Sequence, residues 1–114
     1  MEKAELIQFN FSTADAEDVT LEFIKGHLRL NFIDWQEKHV EVWFHDTIAF
    51  KWQEADSKGP EDRDDCCYVI KESEWLSEHF KQDIVASDVG YEHYKLCFNA
   101  CGILEVLSND VVTT

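Results

Sequence analysis

The chain has 114 residues, 45% hydrophobic and 13% aromatic, with 24 acidic side chains against 10 basic ones and a net charge of -14. A chain of this length builds one core and one domain, residues 1–114, and its four tryptophans and eight phenylalanines supply the apolar surface for it. The charge repels nucleic-acid backbones and anionic membrane surfaces and so excludes both as natural partners, whereas a basic protein remains compatible with it.

Along the chain, Ile7, Phe9 and Phe11 alternate and predict a short strand, with Leu6 out of step. Residues 12–18 are polar and read as a loop or as a helical turn capped by Ser12 or Thr13. Val19, Leu21 and Phe23, then Leu28, Leu30 and Phe32, form two alternating runs around Lys25-Gly26-His27, the pattern of a β-hairpin. Val40, Val42 and Phe44 predict a third strand, and Ile48, Phe50 and Trp52 a fourth after an Asp46-Thr47 turn. Short connections make this a four-stranded antiparallel meander from residue 19 to residue 53.

Residues 54–65, EADSKGPEDRDD, hold the only proline and no large apolar side chain, and read as an exposed acidic loop. CCYVI at 66–70 returns to strand character. Ser73 is an N-cap and Glu74 favours the positive end of a helix carrying Trp75, Leu76, His79 and Phe80 on one face and ending near Lys81 or Gln82. Residues 84–90 carry no periodic pattern. Tyr94, Leu96 and Phe98 give a strand, and Gly102 offers a positive φ to the turn that leads into a final strand over 103–107. In the tail, Val111 and Val112 are able to extend a sheet edge. The resulting fold class is α+β: a strongly twisted antiparallel sheet of six or seven strands, meander plus C-terminal hairpin, with one helix packed on it or with the sheet curling into a partial barrel.

No motif forces a chemistry. Cys66 and Cys67 are adjacent and point to opposite faces of a strand, and Cys97 and Cys101 lack zinc-ligand spacing, so buried thiols are expected and no metal or other cofactor. With no apolar leader at residues 1–5 and no run approaching about 18 apolar residues, the expected compartment is a reducing cytoplasm. His27, His39, His45, His79 and His93 are scattered and read as surface groups at turns; His45 beside Asp46 is poorly placed for a base and its orienting acid. The acidic run lacks the order of a calcium loop, and Gly26, Gly59, Gly90 and Gly102 are too far apart for a phosphate loop.

LNFIDWQ at 30–36, VWFHD at 42–46, FKWQ at 50–53, YKLCFN at 94–99 and GILEVL at 102–107 give the chain a look similar to small bacterial proteins of the immunity type found in toxin systems. That resemblance implies an acidic, β-rich protein without catalysis, and it carries over no individual residue. The expected function is a non-enzymatic acidic interaction protein, with an immunity-like inhibitor of a basic protein as its specific form. Partner binding is assigned to Asp56, Glu61, Asp62, Asp64 and Asp65 as a steering arm and to Trp43 as an aromatic anchor. Two rival readings are a small-ligand or enzymatic domain using an aromatic-lined pocket on the sheet, and a structural subunit assembling through a sheet edge.

Overall fold

The computed structural model describes residues 3–7, 9–13, 16–54, 67–81, 90–98 and 102–113. In chain order these form β1 (Lys3–Ile7), β2 (Glu17–Ile24), β3 (His27–Ile33), β4 (His39–His45), β5 (Ala49–Glu54), β6 (Cys67–Lys71), α1 (Glu74–Lys81), β7 (Glu92–Phe98), β8 (Gly102–Ser108) and β9 (Asp110–Thr113). The strands make two antiparallel sheets. The larger runs β1-β6-β7-β8-β5 and the smaller β2-β3-β4-β9.

Alternation decides what each sheet buries. Leu28, Leu30 and Phe32 on β3, with Val40, Val42 and Phe44 on β4, line the inner face of the small sheet. They meet Cys67, Val69, Tyr94, Leu96, Phe98, Leu104 and Val106 from the large sheet in one core. Ring contacts bridge the layers, Phe32 to Phe98 at 5.3 Å and Phe44 to Tyr94 at 6.2 Å between centroids. Tyr68, Ile70, Cys97 and Ile103 form a second buried cluster on the opposite face of the large sheet. The helix lies on that side, where Trp75 packs edge-on to His93. Three layers result: small sheet, large sheet, helix.

The hairpin at Lys25-Gly26 forms as expected. Ile24 pairs with His27, and both loop residues hold positive φ, 50° and 83°, which matches the twist of the strands it joins. Between β3 and β4, Asp34 Oδ1 accepts the N–H groups of Gln36 and Lys38, each at 2.9 Å, while Glu37 takes the left-handed conformation.

Three expectations are corrected. The sheets are antiparallel and one helix packs on them as expected, but the fold is mainly β, its nine strands among the described residues forming two sheets rather than one of six or seven, and the strands do not close into a barrel. The predicted fourth strand of the meander leaves its sheet: β5 pairs with β8, and β9 takes the place beside β4. The switch happens at the Asp46-Thr47 corner, where the Thr47 N–H bonds Gly26 O in the small sheet at 2.8 Å and the Ile48 N–H bonds Leu107 O in the large one at 3.0 Å. The Thr47 hydroxyl, buried, donates to Phe44 O at 2.8 Å and fixes the bend. The first strand, lastly, is Lys3–Ile7 rather than a run through Phe11; Phe9 and Phe11 lie beyond it and stack on each other with centroids 5.0 Å apart.

Candidate functional site

The expected arm, Asp56, Glu61, Asp62, Asp64 and Asp65, lies outside the described residues, as do Cys66 and Cys101. Trp43 lies on the outer face of the small sheet. Register sets Glu22, Arg29, Trp43 and Val112 in one row across its four strands. Arg29 donates to Glu41 Oε2 through Nε at 2.8 Å and lies 2.7 Å from it through Nη2, and its Nη1 reaches Glu22 Oε1 at 3.2 Å. The same guanidinium sits 5.9 Å from the centre of the Trp43 ring, and the indole N–H donates to Glu41 Oε1 at 3.1 Å. Trp43 is thus half-buried and held in place, with the exposed Val112 beside it. At the end of this face the His27 and His45 rings meet edge-on at 5.1 Å, and His27 Nδ1 accepts the Asp46 N–H at 3.2 Å.

The outer face of the large sheet holds a connected polar network. Ser73 caps α1 as expected, its Oγ accepting the Leu76 N–H at 3.1 Å and its carbonyl the Ser77 N–H at 3.0 Å. The same Oγ lies 2.7 Å from His93 Nδ1, and His93 Nε2 lies 2.8 Å from Glu105 Oε1. The Nε2–H tautomer satisfies both contacts: the serine hydroxyl donates to Nδ1 and the ring donates to the carboxylate. Lys51 closes the circuit, 3.8 Å from Glu105 Oε2 and 4.6 Å from the centre of the Trp75 ring. Burial alone would push the Glu105 carboxyl upward. The hydrogen bond from His93, then the charges of Lys51 and Lys95, together outweigh it and hold the group below its ordinary range.

Beside this network an open cleft of about 710 Å³ runs between the start of α1 and the chain around Tyr91. Among the described residues Glu72, Glu74, Glu78 and Glu92 line it, with one cation, Lys71, which stands 3.7 Å from Glu92. Ile70, Leu76 and Tyr91 supply apolar wall. Burial, then the charge of Asp46, raises the Tyr91 hydroxyl above the usual phenol range, so it remains a hydrogen-bond donor. The aromatic-lined pocket of the rival reading has a different lining from this cleft, in which Tyr91 is the sole aromatic among the described residues. Among the described residues no group of three or more His, Cys, Asp or Glu side chains is placed to hold a metal ion, and no helix is long and apolar enough to cross a membrane.

Of the residues singled out in the sequence, Trp43 and Ser73 each hold a defined position, on opposite sides of the molecule. His93 and Glu105 were not foreseen. In the alternation of β7 and β8 they fall on the face opposite Tyr94 and Val106, and by period alone that face reads as solvent. The signal was the helix: an amphipathic segment carrying Trp75 needs a sheet face to cover, and polar groups on that face then need partners. His93 is 4% exposed and so belongs to no turn surface.

No family model, curated protein or solved structure matches the chain.

Proposed function

We propose that this chain is an acidic, non-enzymatic interaction domain of a reducing bacterial cytoplasm, acting in its specific form as an immunity-like inhibitor of a basic protein. The observation that supports this reading best is the cleft beside α1, where, among the described residues, four carboxylates face one lysine across an open volume able to admit cationic side chains. A net charge of -14 adds long-range attraction, which raises encounter rates with a basic surface at low salt. Trp43, held by Arg29 and Glu41, offers a rigid aromatic contact on the far side, and Asp56, Glu61, Asp62, Asp64 and Asp65 serve as the negative arm.

One observation favours an enzyme, the hydroxyl–imidazole–carboxylate chain of Ser73, His93 and Glu105. Two facts weigh toward a structural role instead. Ser73 is 7% exposed, and its Oγ already accepts a helix N–H, so the serine ties α1 to the sheet.

Affinity capture with the whole chain as bait tests the reading. At low ionic strength it is expected to retain a basic protein from a bacterial lysate and to release it when salt shortens the screening length to about 3 Å, near 1 M. A bait that retains no basic protein at low salt contradicts it.

A further inference from the structure

Among the described residues β2 ends one sheet and β5 the other, and Phe23 of β2 meets Phe50 of β5. Register puts Leu21 and Phe23 opposite Leu30 and Leu28, on the inner face of the small sheet, and Phe50 and Trp52 opposite Val106 and Leu104, on the inner face of the large one. Phe23 and Phe50 close the mouth of the core between the sheets, their rings tilted at 31° with centroids 5.8 Å apart. Core-facing rings are normally covered, yet Phe23 is 53% and Phe50 38% exposed. One exposed phenylalanine is ordinary. Two from different sheets, in contact and each on an outermost strand, mark a lip that a further apolar layer would seal.

Backbone geometry narrows what fits there. Among the described residues β2 has one strand neighbour, so half of its N–H and C=O groups point away from the sheet. The ladder is irregular between Glu17 and Thr20, with Asp18 at φ 53°, and regular over residues 20–24. A bulge of this kind blunts the first half of the edge and leaves the second half able to pair.

Charge narrows it further. β2 carries Glu17, Asp18 and Glu22 and no basic side chain. A second copy pairing β2 against β2 would set these acids along each other and bring together two chains of net charge -14. We propose that residues 20–24 of β2 receive an extended segment of a basic partner by strand addition, with its apolar side chains sealing Phe23 and Phe50 and its alternate cationic side chains sharing the half-exposed Glu22 with Arg29. The partner's charge rests on the interaction reading; the place and mode of docking do not.

The test uses the full ¹⁵N-labelled chain at low salt and three capped heptapeptides: alternating lysine and valine, the same peptide with a central proline, and alternating glutamate and valine. The lysine–valine peptide is expected to shift the amide signals of residues 20–24 and to slow hydrogen exchange of those that point away from β3. The proline peptide keeps the charge but cannot form the ladder and is expected to do neither, and the glutamate peptide is expected not to bind. Phe23→Lys and Phe50→Lys, both at exposed positions, are each expected to weaken binding by about tenfold or more, a change of about 1.4 kcal/mol. Glu5→Gln, exposed on β1 at the far end of the large sheet, is expected to leave it unchanged. Equal binding of the proline or glutamate peptide, or signals that move at the cleft or at Trp43 instead, overturns strand addition while the interaction reading stands on its own capture experiment. Outward-pointing amides of residues 20–24 already protected in the free protein also overturn it; native mass then says whether the chain itself or a second copy covers the edge.

Discussion

Replacing Gly102 with alanine is the most local test of how the sheets are assembled. Gly102 opens β8, facing Glu54 on β5 and Phe98 on β7. A Cβ there would run into the Gln53 carbonyl oxygen and lie 2.8 Å from Trp52 Cζ2 and 3.1 Å from Cε2. The carbonyl belongs to a paired strand, and the indole is backed by Phe98 at 5.9 Å, so neither neighbour yields cheaply. Overpacking of this kind costs about 1–3 kcal/mol. At roughly 5 °C per kcal/mol for a domain near this size, the melting temperature is expected to fall by about 5–15 °C. Thermal and urea unfolding of Gly102→Ala measure it. Gly26 is the control, since it holds φ +83° with nothing within 4 Å of a built Cβ. Asparagine tolerates that conformation, so Gly26→Asn is expected to cost only about 0.5 kcal/mol, while Gly102→Asn is expected to be at least as damaging as Gly102→Ala. A Gly102→Ala variant within about 0.5 kcal/mol of wild type would refute the close approach of β5 to β8 at this point.

The polar network yields three further expectations. Ser73→Ala removes the cap of α1 and a partner of His93 and should cost about 1–2 kcal/mol, with Ser73→Thr recovering much of it, as read by chemical denaturation. Because the folded state holds the Glu105 carboxyl below its ordinary range, the unfolded chain binds the proton first as pH falls. Its stabilising contribution is therefore present above the unfolded carboxylate pKa of about 4.3 and is lost as pH drops through the folded value; in acid denaturation, Glu105→Gln should show a shallower loss of stability across that window. A fluorophosphonate probe is expected to leave Ser73 unmodified in the native protein, and specific labelling of Ser73 would return the enzymatic reading to first place.

Local alternation carried the strands and their faces, because period two is written into side chains such as Leu28, Leu30 and Phe32. The helix was legible from Ser73 and Glu74, which act on their own backbone. Pairing between distant strands was not. Nothing in the run from Val40 to Trp52 says that β5 crosses to the other sheet, because the corner is set by Thr47 and Ile48 bonding to Gly26 and Leu107, residues far along the chain. Its place before the last strand suggests a positive φ for Gly102, yet it is Gly26 and Gly90 that hold one, and what Gly102 provides is room for Trp52. The cleft was invisible for the same reason: Glu72, Glu74 and Glu78 meet Glu92 only when β7 folds back past α1.

The association rate of the captured basic protein, followed by stopped flow against ionic strength, reaches the functional proposal most directly. With wild type the rate is expected to fall about 10- to 100-fold as salt rises from about 20 mM to about 0.5 M. A chain carrying Glu72→Gln, Glu74→Gln, Glu78→Gln and Glu92→Gln should begin slower and respond less. Rates that ignore both salt and the four substitutions would mean that the negative charge serves solubility alone.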